Sequence, residues 1–335
     1  MSKFSLDVLK KRVFPYVAPQ NGDIVLGSSF GEDVALTKVG NDILASHVDP
    51  IVGAIGNIGW LAVHVACNDI AASGVPPRWI LILVLVPSIR DEDLLEQIMC
   101  DARQAADDIG VAIIGGHTGY SANLTRPLVS VTALGNAGTR TPVRTGGARE
   151  GDLVLVTKEI AVEGTGILAG DFADIARERG ITDEERTEAV RLMDDVSVVR
   201  EALVLAEQGA TAMHDVTRGG LLETLLEIAA LSDKAITIDA ERLPIGNLVQ
   251  RFARAFEFDP MKMISSGTLA VTVPPDRKES VTAALTAIDI PHAFVGEVTT
   301  GAGVTIRSGD TVSTFSDIRC EEDELARLWA LYPRS

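Results

Sequence analysis

The sequence predicts two successive α+β domains, and three observations carry that prediction. Strand-like and helix-like segments follow the same loose order in each half: several strands, then helix, strand, helix, strand. A stretch rich in Gly, Thr and Arg without apolar periodicity, Gly138–Asp152, separates the halves. Hydrophobic residues make up 46% of the chain but aromatic residues only 4%, an aliphatic composition suited to helices packed on sheets. A length of 335 residues accommodates two domains, placed at 1–145 and 146–335.

The elements follow in order. Lys3–Tyr16 is weakly helical and reads equally as an arm. Turn signals at Gly31 and Gly40-Asn41 separate the strands Asp23–Leu26, Val34–Val39 and Ile43–Val48. Ile55–Ser73 carries Ile58, Leu61, Ala62, Val65 and Ala66 at helical spacing. Trp79–Val86 is an apolar, β-branched run expected to be buried on both faces. Asp91–Ile109 has a stripe from Leu94 to Ile109 at i, i+3, i+4, acids in its first turn and Gly110 as a stop. Val111–Ile114 and Leu128–Leu134 read as strands flanking a Gly-rich connection. The second half opens with the strand Leu153–Thr157, then the helices Ala169–Arg179, Asp183–Glu207 and Gly219–Ala230. Leu269–Val273, Ala293–Val298 and Val304–Ile306 are strands, Asp276–Ile288 is a helix between the first two, and Glu321–Leu331 is a short final helix.

The formal net charge is −17, from 47 acids and 30 bases, which argues against nucleic acid or an anionic membrane as partner. The longest apolar run, Trp79–Val86, falls far short of the ~20 residues that span a bilayer. The first residues show no signal-peptide core, and Cys67, Cys100 and Cys320 are too few and scattered for a disulfide framework. A cytoplasmic protein is expected.

Several small clusters can carry chemistry. Gly31-Glu32-Asp33 precedes a strand, Asp49-Pro50 ends one, and Asn68-Asp69 lies in a helical stretch among Ala66, Cys67, Ile70 and Ala71. A carboxylate in apolar company needs compensation, and a divalent cation with oxygen ligands supplies it. Asp69 is the acid this describes best. Asp33 and Asp49 read equally as turn or cap residues. Gly115-Gly116-His117-Thr118 follows a strand; its backbone amides suit a phosphate, although Gly-Gly is also ordinary turn punctuation. His117 reads as a ligand, an acid–base group, a phosphate donor or a solvent-facing loop histidine.

In the second half, His214-Asp215-Val216-Thr217-Arg218-Gly219-Gly220 leads into a helix. Its free amides and Arg218 suit an anion, while Asp215 or Thr217 would also serve as a cap. Ala161–Gly166 could line the same site. Lys158 is a surface lysine or a phosphate contact, and Cys67 a small buried residue or a nucleophile. The Gly-x-x-x-x-Gly-Lys-Ser/Thr loop, Gly-x-Gly-x-x-Gly after a strand, and zinc spacings are missing from the sequence.

Taken in order, these clusters resemble the superfamily of aminoimidazole ribonucleotide (AIR) synthase, which includes HypE, selenophosphate synthetase and thiamine-monophosphate kinase. The matching segments are Gly31–Ala35, Val48-Asp49, Asn68–Pro77, Gly115–Thr118, Ala148–Asp152 and Asp215–Leu221, across about residues 20–300. The last is nearest to HypE, with Val216 in place of a proline, and HypE is the nearest member overall. This chain ends Tyr332-Pro333-Arg334-Ser335 rather than on the cysteine of HypE, whose complete carbamoyl chemistry is therefore not expected here. His117 stands where HypE carries an acid, nearer to selenophosphate synthetase.

The resemblance implies an N-terminal ATP-binding domain that dimerises by sharing a β-barrel, and a C-terminal α/β sandwich. It implies ATP and Mg2+ as cofactors, with Asp33, Asp49 and Asp69 on the metal. Asn68, Gly115, Gly116, Thr118, Asp215, Thr217, Gly219 and Gly220 would surround the nucleotide, and Asp69, His117 and Arg218 would act in catalysis. Such enzymes phosphorylate an oxygen of a small or carbamoyl-type substrate. A non-catalytic nucleotide-binding dimer that docks a maturation protein, and a small-molecule kinase, are the alternatives.

Overall fold

The computed structural model describes residues 4, 6–17, 21–27, 29–52, 57–316 and 323–332. Two short helices, α1 (Leu6–Arg12) and α2 (Phe14–Val17), precede β1 (Ile24–Leu26), β2 (Ala35–Val39) and β3 (Asp42–Val52). The first half continues with α3 (Ile58–Ala72), β4 (Pro77–Val86), α4 (Glu92–Asp108), β5 (Ala112–Tyr120) and β6 (Leu128–Asn136). The second half begins with β7 (Leu153–Thr157), α5 (Val162–Asp171), α6 (Ala173–Glu178), α7 (Asp183–Arg191), α8 (Val199–Glu207) and β8 (Ala212–Asp215). Then come α9 (Gly220–Ser232), β9 (Ala235–Asp239), α10 (Asn247–Phe256), β10 (Leu269–Val273) and α11 (Lys278–Thr286). Strands β11 (His292–Thr299), β12 (Gly303–Ser308) and β13 (Thr311–Phe315) precede α12 (Glu324–Leu331).

The strands form two sheets, ordered β1-β2-β3-β6-β4-β5 and β13-β12-β9-β11-β7-β10-β8. Each is antiparallel apart from one parallel pair, β4–β5 and β12–β9 respectively. The mixed α/β content in two sheets agrees with the fold class expected. Among the described residues no helix is long and apolar enough to cross a membrane.

Helix α4 follows its predicted amphipathic stripe and buries Ile98, Ala102, Ala105 and Ala106. Helix α3 differs: every residue from Ile58 to Ala72 except Trp60 is buried. A helix apolar all round belongs inside, and α3 is wedged between the first sheet and the second half. The core around it runs from Ile80, Val84 and Val131 to Val198, Ala202, Leu205, Met213 and Leu269.

Three expectations are corrected. Gly115-Gly116-His117-Thr118 is not a connection; it lies within β5, paired with Leu81–Val84 of β4. The register shifts between Ile80 and Leu81, leaving Ile114 as the extra residue of a bulge. A Cβ on Gly116 would sit 1.9 Å from the Ile82 carbonyl oxygen, so glycine here serves close strand contact. The run Trp79–Val86 is buried on one face rather than both, with Trp79 and Leu81 exposed on the other. Ala161–Gly166 caps and opens α5, with Gly164 pressed against Met263. The helix expected over Asp183–Glu207 breaks at Leu192–Val198, because Lys158 and Asn68 draw the carbonyls of that segment into side-chain hydrogen bonds. Strand β3 runs on through Pro50, which is tolerated because β2 pairs only as far as Ser46. Cys320 and the expected start of the last helix lie outside the described residues.

His64 sits in the middle of α3, 2% exposed, with its ring 4.3 Å from that of Trp60 in an edge contact. Among the described residues neither ring nitrogen has a hydrogen-bond partner. Burial, aided by the charge of Lys158, lowers its pKa from 6.5 to about 4. Above pH 6.5 the ring is neutral in both folded and unfolded chains. As the pH falls from 6.5 towards 4, the unfolded chain takes up a proton that the native state refuses, and stability drops by about 3 kcal/mol. His64→Leu should therefore lose less stability than the parent between pH 7.5 and 4.5 in parallel denaturant titrations. Equal losses would show that the buried ring is not held neutral.

Candidate active site

The site lies where the two halves meet. Strand β8 carries His214 and Asp215, both buried, at the edge of the second sheet next to β10. The turn before β2 crosses to the connection between the halves through Glu32, whose carboxylate accepts from Arg144 and from the Thr145 N–H. That crossing brings Asp33 Oδ2 to 3.1 Å from His214 Nδ1. The other imidazole nitrogen, Nε2, is 3.0 Å from Glu227 Oε2 on α9. His214 Nδ1 also donates to the Asp215 carbonyl oxygen at 2.7 Å. Burial opposes charge on this ring, but Asp33, Asp215 and Glu227 outweigh it and hold the pKa well above the ordinary histidine range.

Asp69 arrives from α3. It is buried, and its carboxyl pKa is pushed well up, first by burial and then by the charges of Asp215, Asp33 and Asp49. His47 on β3 turns Nδ1 to the Asp33 carbonyl and sets Nε2 3.1 Å from Asp69 Oδ2. Asp215 is 0% exposed, and among the described residues neither of its carboxylate oxygens accepts a hydrogen bond. Its nearest positive group is His214 Nδ1, 3.7 Å from Oδ1.

A buried carboxylate without donors, crowded by Asp33, Asp49 and Asp69, fits a divalent cation that takes oxygen ligands. Ligand atoms of Asp33, His214 and Asp215 lie within 4.8 Å of one another. With His214 protonated, the carboxylates are the donors and the imidazolium is their counter-charge.

The other expected residues are placed differently. Asn68 does not face the acids: its amide donates to the Val196 carbonyl at 2.7 Å and accepts from the Val198 N–H at 2.8 Å, so it clasps α3 to the segment before α8. Gly115, Gly116, His117 and Thr118 lie on β5, three strands and roughly 14 Å from β3 within one chain. Thr217, Arg218, Gly219 and Gly220 form the link from β8 to α9, with the Gly220 N–H donating to the Thr217 carbonyl. Arg218 acts on the buried Glu163, whose pKa burial raises while Ser266 and Arg218 oppose the shift.

Lys158 is neither a surface residue nor free for phosphate. It is buried, in a left-handed conformation, with Nζ 3.0 Å from Glu201 Oε1 and donating to Asp195 and to the Ser197 carbonyl. Cys67 is buried and its thiol is pushed up to about 12, by burial and then by Asp69, which makes it a core residue rather than a nucleophile. The sequence alone does not mark His47 or Glu227, and it assigns His214 no role. The one available signal was the His-Asp pair at the end of a buried strand.

The acid cluster generates a metal prediction. Mg2+ added to the protein in EDTA-treated buffer should raise Tm, because it binds the native carboxylates; at 100 times Kd the gain is about 2.7 kcal/mol. Asp215→Asn should abolish that rise while its metal-free Tm stays level or increases, since one of the crowded charges is gone. A Mg2+-dependent rise of parental size in Asp215→Asn would exclude Asp215 as a ligand.

Comparison with known proteins identifies the family. The family model for the N-terminal domain of AIR synthase related protein matches residues 31–137, and that for its C-terminal domain matches residues 149–309. A Methanocaldococcus jannaschii protein named for hydrogenase expression and formation is 28% identical over 281 residues, 82% of this chain and 79% of that protein. Carbamoyl dehydratase HypE of Rhizobium leguminosarum is 29% identical over 259 residues, 75% of this chain and 71% of the relative. Among solved structures, hydrogenase maturation protein HypE in complex with ATP superposes with a TM-score of 0.72 at 24% identity, covering 84% of this chain and 87% of that one, a likeness of fold. With both domain models matched in order and the ordered motifs in place, the chain belongs to the AIR synthase-related family.

Proposed function

We propose that the chain is an ATP- and Mg2+-dependent enzyme that phosphorylates an oxygen of a small or carbamoyl-type substrate. One observation carries the reading: Asp33 and Asp69 of the first half converge with Asp215 of the second around a carboxylate that lacks donors. Family membership and the ATP complex of HypE support it.

In this reading Asp33, Asp49, Asp69 and Asp215 hold the metal. When bound, the cation neutralises phosphate oxygens and orients the transferred group. His214, fixed by Glu227, would balance the carboxylates as their counter-charge. His47 Nε2 lies 3.1 Å from Asp69 Oδ2, beside the carboxylate that would hold the cation. Arg218 with Gly219 and Gly220 contacts a phosphate. Catalysis then rests on positioning and charge, as phosphoryl transfer requires.

The same reading includes a homodimer. Strand β5 has an open edge, and Val48, Trp79, Leu81, Ile114 and Tyr120 are large exposed apolar residues of the first sheet. Such a surface suits a second copy, whose arrival would bring Gly115, Gly116, His117 and Thr118 to a nucleotide at the interface.

MgATP should bind the parent protein in calorimetric titration and release ADP once an acceptor is supplied from a panel of small carbamoyl, phosphate and hydroxyl compounds. Asp69→Asn should lower turnover by ~100-fold or more. Full turnover in that variant would discard the metal assignment, and MgATP binding without release against every acceptor would favour a non-catalytic nucleotide-binding partner. Leu81→Glu should halve the mass measured by light scattering at low protein concentration; an unchanged mass would remove β4 and β5 from the interface.

A further inference from the structure

Helix α12 lies beyond the residues matched by the two family models, which end at 309, yet it reaches the Arg218–Gly220 link. The contact is made by one side chain. Asp323, 7% exposed, caps α12 by accepting from the Ala326 N–H through Oδ1 at 2.7 Å. Its other oxygen, Oδ2, accepts from the Gly219 N–H at 3.3 Å. A cap alone needs one oxygen; here the second spans 104 positions of sequence.

Gly219 is the residue whose backbone needs holding. It stands in a left-handed conformation, φ 77°, directly after Arg218 and before α9, and no side-chain cap secures that helix start. The Arg218–Gly219 peptide can therefore turn, and with it the direction in which Arg218 leaves the chain. The Asp323 carboxylate ties down the amide of that peptide. Glu163, buried beneath, is the charge that Arg218 faces.

The tie is only as firm as the helix that bears it, and α12 is well anchored. Glu324 Oε1 accepts from the Asp259 N–H at 3.1 Å, and Arg327 donates to the Glu257 carbonyl at 2.8 Å. Leu328 is fully buried, and the ring of Trp329 lies 4.8 Å from that of Phe172.

We propose that Asp323 is a positioning residue: its carboxylate bridges the start of α12 to the Gly219 amide and so holds Arg218 and the Gly219–Gly220 amides in the geometry that receives a nucleotide phosphate. The proposal rests on the reading of that link as a phosphate contact, and the test separates the two.

Asp323→Ser keeps a good N-cap but is too short to reach Gly219, whereas Asp323→Ala loses both bonds. MgATP affinity by calorimetry and Tm by scanning calorimetry are compared across the parent, these two variants and Arg218→Ala. Both Asp323 variants should bind MgATP roughly tenfold more weakly, the scale of a lost bond to a charged acceptor. Only Asp323→Ala should lose appreciable Tm, so affinity and stability part company in the serine variant. Parental affinity in Asp323→Ser together with weakened binding in Arg218→Ala would overturn the role of Asp323 alone. Parental affinity in Arg218→Ala, or no MgATP binding by the parent, would overturn the phosphate reading and the proposal with it. Equal losses of Tm in both Asp323 variants, in step with affinity, would reduce Asp323 to a structural cap.

Discussion

The gathering of negative charge in an apolar junction is the constraint around which this structure is arranged. The charges of Asp215, Asp33 and Asp49 all act on Asp69 there, and Asp69 and Asp215 are nearly or fully buried. An uncompensated ion in such surroundings costs several kcal/mol. Two devices lower that cost. His214 carries positive charge between Asp33 and Glu227, and His47 sets Nε2 3.1 Å from Asp69 Oδ2. Neither device supplies a donor to Asp215, whose oxygens remain without hydrogen bonds among the described residues. The protein thus folds around these charges while the oxygens of Asp215 keep their accepting capacity, and a cluster with such capacity has more to gain from a ligand than a fully satisfied one.

Helix α3 makes this junction rigid. Its successive residues divide the work: Cys67 packs as a protonated core thiol, Asn68 grips the backbone at Val196 and Val198, and Asp69 presents its carboxyl to the other acids. One turn earlier His64 is buried beside Trp60 without partners. The segment gripped by Asn68 is held from its other side by Lys158, itself buried against Glu201. A one-turn displacement of α3 would break the Asn68 clasp and withdraw Asp69 together, so placement of the charge is coupled to packing of the core.

Much of this was legible in the sequence, and the exceptions have physical causes. Asp69 could be read from its local setting, because a charge among apolar neighbours stands out in one dimension, whereas Asp33 and Asp49 took a metal role only from the family resemblance. The α4 stripe and most strands were equally plain, but β8, β9 and β13 were not, being short and without strict apolar alternation. Asn68 could not be told from a ligand, since its partners at Val196 and Val198 are 128 and 130 positions away. The Gly115-Gly116 pair resembled a phosphate loop because glycine marks turns and close strand contacts alike, and only the pairing with Ile82 distinguishes them. His47 and Glu227 sit in regular elements with ordinary neighbours, and their significance comes from Asp69 and His214 across the fold. Lys158 looked like a surface residue because nothing local announces that four protein oxygens surround its amine.

The two sheets therefore do not mark two independent parts. Strand pairing divides between Asn136 and Leu153, but the interactions that matter to the site cross that divide. Glu32 accepts from Arg144 and Thr145, Asn68 bonds to Val196 and Val198, and Asp33 meets His214. The apolar core does the same, joining Ile80 and Val131 to Leu205 and Met213 in one cluster. Separated, the first half would expose the all-apolar flank of α3 and leave Asp33 without its imidazolium. The second would keep His214 and Asp215 but lose Asp33 and Asp69. Each half buries what the other needs, so the charge cluster exists only in the assembled chain, and the packing that closes the two halves together is the same packing that brings Asp33 to His214 and Asp215.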